Sequence, residues 1–218
     1  MTRRMADEAF RLQQDANRYA EHVKPINELV DSLRDQDGRG WMPHVAPIHG
    51  GVEATVLSVL RDPGPKTLDG TGSGYICIEN DDPTAARMAE RFERVDIESA
   101  DITPWNAYPW YINKKPSGEQ LVAGAETVIQ VIELMPKLRV VFLQGNDAVA
   151  GWKKVQKLAP SLERDRRLTV VTSIHPGLQG LWTRDPQVRA ARIARQEAAF
   201  AEVARLLDRS SSVSGTRS

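Results

Sequence analysis

Four short segments of this chain hold side chains whose types could do chemistry. In Arg61-Asp62-Pro63-Gly64-Pro65, one carboxylate sits in a loop stiffened by two prolines. An aspartate held in this way can act as a fixed anion, although Asp-Pro-Gly is also common turn chemistry. Thirteen residues after Asp62, the glycine-rich stretch GTGSGYICIEN carries Tyr75, an aromatic able to stack on a planar ring or simply to pack. The segment Thr103-Pro104-Trp105-Asn106-Ala107-Tyr108-Pro109-Trp110 sets Asn106 among three aromatics. An asparagine amide both donates and accepts, which suits reading the edge of a base. The alternative is a turn cap surrounded by core aromatics. The last segment, Ser173-Ile174-His175-Pro176-Gly177-Leu178-Gln179-Gly180-Leu181, offers His175 beside a proline. A lone histidine can be structural, but imidazole is also the side chain suited to proton donation near neutral pH.

The elements that must position these residues follow from periodicity. Residues 4–23 have an amphipathic helical pattern, which Pro25 interrupts and 26–33 resumes; 37–51 is a loop by its Gly and Pro content. An alternation then begins. Strands are expected at 54–60, 100–103, 138–143 and 168–172, and helices near 83–92, 118–135, 147–158 and 186–207. This order predicts an α/β fold: a three-layer α/β/α arrangement around a central four-stranded parallel sheet. In such sheets ligands gather beyond the carboxyl ends of the strands, and three of the four segments follow strands. One domain over 1–209 is expected, with N-terminal helices at 1–36 covering one sheet face, a core over 54–207, and a disordered tail at 210–218.

Composition removes several classes. Cys77 is the only cysteine, so one chain can form neither a disulfide nor a cysteine-ligated iron–sulfur cluster. No apolar run approaches the roughly 20 residues of a membrane span, and the start has no signal-peptide core. A soluble, cytoplasmic monomer is the expectation. Net charge is zero but unevenly placed: residues 1–136 hold 14 Lys and Arg against 22 Asp and Glu, and residues 137–218 hold 15 against 7. Such a field can attract a polyanion on one side, or can reflect two ordinary arginine-rich solvated helices. A serine-hydrolase elbow and the phosphate-binding glycine motifs are absent; GTGSG lacks the following Lys-Ser/Thr and helix.

Taken together and in this order, the four segments resemble the uracil-DNA glycosylase superfamily over about residues 54–207. The segment from Asn106 through Pro116-Ser117-Gly118-Glu119 is similar to that family as well. The resemblance implies a DNA glycosylase that flips a pyrimidine out of single- or double-stranded DNA and hydrolyses its N-glycosidic bond, with no metal or organic cofactor. It implies Asp62 as the anion that orients water, and His175 as donor to the pyrimidine O2. Asn106 would read the base edge, and Tyr75, or else Cys77, would stack on the ring. Leu178 and Leu181 are candidates to fill the gap left by the base, with Gln179 where the family usually has a wedge leucine. Gly177 replaces a serine of the family's His-Pro-Ser loop but keeps a backbone N–H for phosphate. Lys153 and Lys154 are candidate DNA contacts. Gly64 stands where the strictly uracil-specific branch has a tyrosine that blocks substituents at pyrimidine C5. The implied substrate is therefore uracil or a C5-modified pyrimidine, in repair or in antiviral defence against hypermodified phage DNA. A member that only binds DNA would have lost Asp62 or His175, and both are present.

Overall fold

The computed structural model describes the backbone of residues 3–213 and side chains through residue 208. Four parallel strands form the central sheet: β2 (Val56–Leu60), β4 (Ile102–Asn106), β5 (Val140–Gln144) and β6 (Thr169–Ser173), in the order β4-β2-β5-β6. A separate two-stranded parallel ladder joins β1 (His44–Val45) to β3 (Tyr75–Ile76). It arises inside segments that read as loops, because two-residue strands have too few positions to show a period.

Alternation along the strands sorts the helices into two layers. Leu57, Val59, Trp105, Val141 and Leu143 point to one face. There they meet α2 (Lys24–Leu33), α4 (Gly118–Leu134) and α5 (Asn146–Leu158) through residues such as Ile26, Val30, Val128, Ile132, Trp152 and Val155. Val56, Ile102, Val140, Phe142 and Val171 point to the other, against α3 (Pro83–Glu93) and α8 (Pro186–Val213) through Met88, Phe92, Phe200 and Val203. The result is the three-layer α/β/α fold around four parallel strands. Pro83 and Pro186 stand at the starts of their helices, where a missing N–H costs nothing.

Several boundaries differ from the sequence expectation. The N-terminal pattern is not one helix: α1 (Glu8–Ala16) ends in a run of turns before α2, and Pro25 lies in the first turn of α2 rather than between helices. The second core strand runs to Asn106, two residues from its expected start and three past its expected end, since Pro104 is accommodated in an edge strand. Helix α8 continues to Val213, so residues 210–213, expected to be disordered, are helical; 214–218 lie outside the described residues. Two single-turn helices, α6 (Leu162–Asp165) and α7 (Leu178–Leu181), are too short to be seen as periodic. Among the described residues no helix is long and apolar enough to cross a membrane.

Candidate functional site

The connection from β2 goes outward to β4, and the chain then crosses back to β5 and β6. The order of strands therefore reverses between β2 and β5, which is where open α/β sheets leave a crevice at their carboxyl ends. A cleft of about 790 Å³ lies there. Its lining includes Asp62 and Gly64 after β2, Asn106 at the end of β4, Gln144 at the end of β5, and His175 after β6.

Strand pleating explains why this end of the sheet is polar. On the α3/α8 face the lower rungs are apolar, with Val56, Ile102, Val140, Phe142 and Val171. Further along the same face come Ser58, Gln144 and Ser173, each two residues past the last apolar rung of its strand, and Asn106, four residues past Ile102; all four are buried. Trp105, one residue before Asn106, projects to the opposite face into the core, and Tyr108 and Trp110 are buried there too. Those three aromatics are packing, and Trp110 Nε1 donates to the Leu33 carbonyl (2.9 Å).

Asp62 has a side chain only 3% exposed, and its Oδ1 accepts from Arg61 Nε at 2.5 Å. Its Oδ2 is buried with no hydrogen-bond partner. Burial pushes its carboxyl up from the usual range, while the Arg61 guanidinium and the backbone amides of Asn113 and Lys114 act in the opposite direction. His175 is held by its own loop: Gly177 N–H donates to Nδ1 at 3.0 Å, which leaves the proton of the neutral ring on Nε2. Gln196 of α8 donates to the carbonyls of Ile174 and His175 (3.1 and 3.3 Å), pinning the loop from beneath. Burial and the nearby Arg61 cation lower the His175 pKa, opposed by Asp147 and Asp82. At neutral pH the ring is therefore an uncharged donor.

Other expected site residues fall elsewhere. Tyr75 does not line the cleft: it is 1% exposed in β3, its hydroxyl donates to Asp15 (2.8 Å), and Arg18 Nε donates to it (2.9 Å). The one-residue alternation of the short strand turns it toward the N-terminal helices, and Ile76 and Cys77 border the cleft instead. The Cys77 thiol is buried and pushed up to about 12 by desolvation, so it is packing rather than a nucleophile. The Gly177 amide, expected to be free for a phosphate, is engaged by His175. A β-carbon at Gly177 would stand 3.0 Å from the ring atoms Cε1 and Nδ1, a tight contact to which the imidazole would have to yield by a few tenths of an ångström. Leu181 is buried and absent from the lining, whereas Leu178 and Gln179 are exposed at the rim. Trp182, which sequence reasoning passed over, is 68% exposed next to them. Lys153 and Lys154 do not border the cleft; they lie about 10 Å along α5 from its cleft-lining residue Asn146, at 1.5 Å per residue.

Gly64 is extended (φ −80°, ψ 166°), and a β-carbon there would meet nothing within 4 Å. Neither backbone conformation nor packing requires glycine at this position. Its effect is open space at the cleft wall. Arg61, Gln144 and Gln196 are the functional candidates that sequence reasoning missed. Gln144 carried a signal, a polar residue closing the apolar run of its strand, but Gln196 is one glutamine in a polar helix. No protein-family model matches this chain, and none of the curated proteins does.

Proposed function

We propose that this chain is a DNA glycosylase of the uracil-DNA glycosylase kind, which takes a flipped pyrimidine into the cleft and hydrolyses its N-glycosidic bond. The observation that carries the reading is the convergence of Asp62, Asn106 and His175, from three separate strand ends, on one cleft at the switch point of the sheet. When the bond between C1′ and the base nitrogen breaks, its electron pair leaves with the base and the sugar becomes cation-like. Asp62, desolvated and fixed, supplies the opposing charge and orients the water that attacks C1′. His175 Nε2–H faces the negative charge building on the pyrimidine O2 and stabilises it by a hydrogen bond in which the neutral ring keeps its proton. Asn106 offers a donor and an acceptor to the base edge.

Open space at Gly64 favours a C5-modified pyrimidine alongside uracil, since glycine there has no structural cause. Removal of hypermodified bases from phage DNA is the corresponding defensive role. The test is base release from oligonucleotides carrying uracil, 5-hydroxymethyluracil, 5-hydroxymethylcytosine or a glucosylated cytosine, in single and double strands. Release is expected from at least one, and Asp62→Asn is expected to slow it by at least about a hundred-fold while DNA binding persists. Equal loss of binding and release in that variant would make Asp62 structural. Binding without release from any substrate by the unaltered protein would favour a DNA-binding role.

A further inference from the structure

Gln144 closes β5 at the switch point, between the Asp62 loop and the His175 loop, and borders the cleft while only 1% exposed. Its Nε2 donates to Ser58 Oγ at 2.8 Å and approaches Met88 Sδ at 3.5 Å. A thioether sulfur accepts and cannot donate, so the NH₂ end of the amide belongs on this side. The carbonyl oxygen is then the free end, and Oε1 is buried with no hydrogen-bond partner. Leaving such an acceptor unpaired is costly, and the bond to Ser58 uses only the NH₂ end of the side chain. An apolar residue would extend the Val140 and Phe142 face without that unpaired acceptor, at the loss of the Ser58 contact.

We infer that Gln144 is a specificity-determining residue of the cleft, and that its Oε1 accepts an N–H from the edge of the bound base. The inference rests on the glycosylase reading. Together with Nε2–H of His175, which seeks an acceptor, and the two-sided amide of Asn106, it gives the cleft a polarity: donor at β6, acceptor at β5, either at β4. A pyrimidine can present the required N–H from ring N3, as uracil-type bases do, or from the amine on C4, as cytosine-type bases do. The shared chemistry is a planar ring edge carrying a donor. Ser58 is the positioning residue, because its hydroxyl oxygen holds the amide with the oxygen outward.

The experiment is a coupling cycle between the side chain and the donor, read by binding in the Asp62→Asn background and by base release with Asp62 intact. Probes are single-stranded oligonucleotides with one central base: 5-hydroxymethyluracil against its N3-methyl form, and 5-hydroxymethylcytosine against its N4-dimethyl form. The protein carries Gln144, Gln144→Met or Ser58→Ala, with thermal unfolding measured on each. For the base that uses the contact, methylation is expected to weaken binding at least about ten-fold with Gln144, and to matter little with Gln144→Met. Ser58→Ala is expected to give an intermediate loss, because the amide is no longer held. Which base pair shows the coupling identifies the donor. A Gln144→Met loss that is equal for donor and methylated bases would make Gln144 structural and overturn the inference while leaving the glycosylase reading standing. Absence of base-dependent binding and of release across all probes would remove the glycosylase reading itself, and the inference with it.

Discussion

Arg61 does two things from one position. Its Nε bonds Asp62, and its charge lies close enough to disfavour the cationic form of His175. The active state proposed needs Asp62 ionised and His175 neutral, and a cation near both favours both. The sign of the pH dependence follows. Removing the guanidinium takes away a force that lowers the Asp62 pKa, so that value rises further above its ordinary one. It also removes repulsion of the imidazolium, so the His175 pKa rises as well. Both changes move the acid limb of base release to higher pH. Arg61→Met is therefore expected to shift that limb upward with little change on the alkaline side, as measured by kcat/KM against pH. An unmoved limb would detach Arg61 from the chemistry. The same shift bears on stability. A carboxyl whose folded pKa is raised stabilises the fold most below its unfolded value, and that contribution is lost as pH rises through the folded one. The charged Asp62 is thus a cost at neutral pH, and Asp62→Asn is expected to leave Tm unchanged or raised while base release is lost.

At the scale of elements, the site depends on how closely backbone can approach backbone. Helix α4 brings Gly124 against the segment that follows β4; a β-carbon there would stand 1.8 Å from the Ala107 carbonyl oxygen. On α5, Gly151 faces the Ala107 side chain in the same way. The two glycines let both helices seat against the chain just past Asn106, and so fix the direction in which β4 ends. The His175 loop uses another close approach. Gly177→Ser places atoms against the imidazole, which must tilt or lose its bond from the residue 177 amide. Base release by Gly177→Ser is expected to fall at least about ten-fold with Tm changed little, because the loop is anchored separately by Gln196. A fully active Gly177→Ser protein would show that this contact does not set the ring.

For the whole molecule, charge is distributed unevenly along the chain. The acidic half supplies the N-terminal helices and α3, and the basic half supplies β5, α5, β6, α7 and α8. The start of α8 follows directly on the cleft-lining α7, and Arg184 and Arg189 are exposed there beside Trp182. Arg192 ties this segment down by donating to the Trp182 carbonyl (2.7 Å). A DNA strand entering the cleft would meet these arginines before it met Lys153 and Lys154. Arg184→Glu with Arg189→Glu is expected to weaken DNA binding and to flatten the plot of log affinity against log salt by about 0.7–0.9 for each phosphate no longer neutralised. Charge reversal at Lys153 and Lys154 is expected to change that slope less. A slope altered only by the lysine pair would move the DNA path to α5.

Periodicity alone determined the α/β class, the four core strands and the long helices, because a strand or helix of sufficient length shows its buried face as a repeat. It also brought Asp62, Asn106 and His175 into question, since each lies at or just beyond a strand. Tertiary structure decided the rest. The order β4-β2-β5-β6 depends on which strands pair, and pairing between distant residues leaves no local trace in a sequence. That order created the switch point, chose Gln144 for the cleft, and sent Tyr75 away from it through a two-residue strand whose facing no pattern reveals. Whether Gly64 and Gly177 are glycine for the same reason was likewise a question of space rather than of type. A β-carbon meets nothing at Gly64 and meets the catalytic candidate His175 at Gly177, and only the packed neighbours distinguish the two.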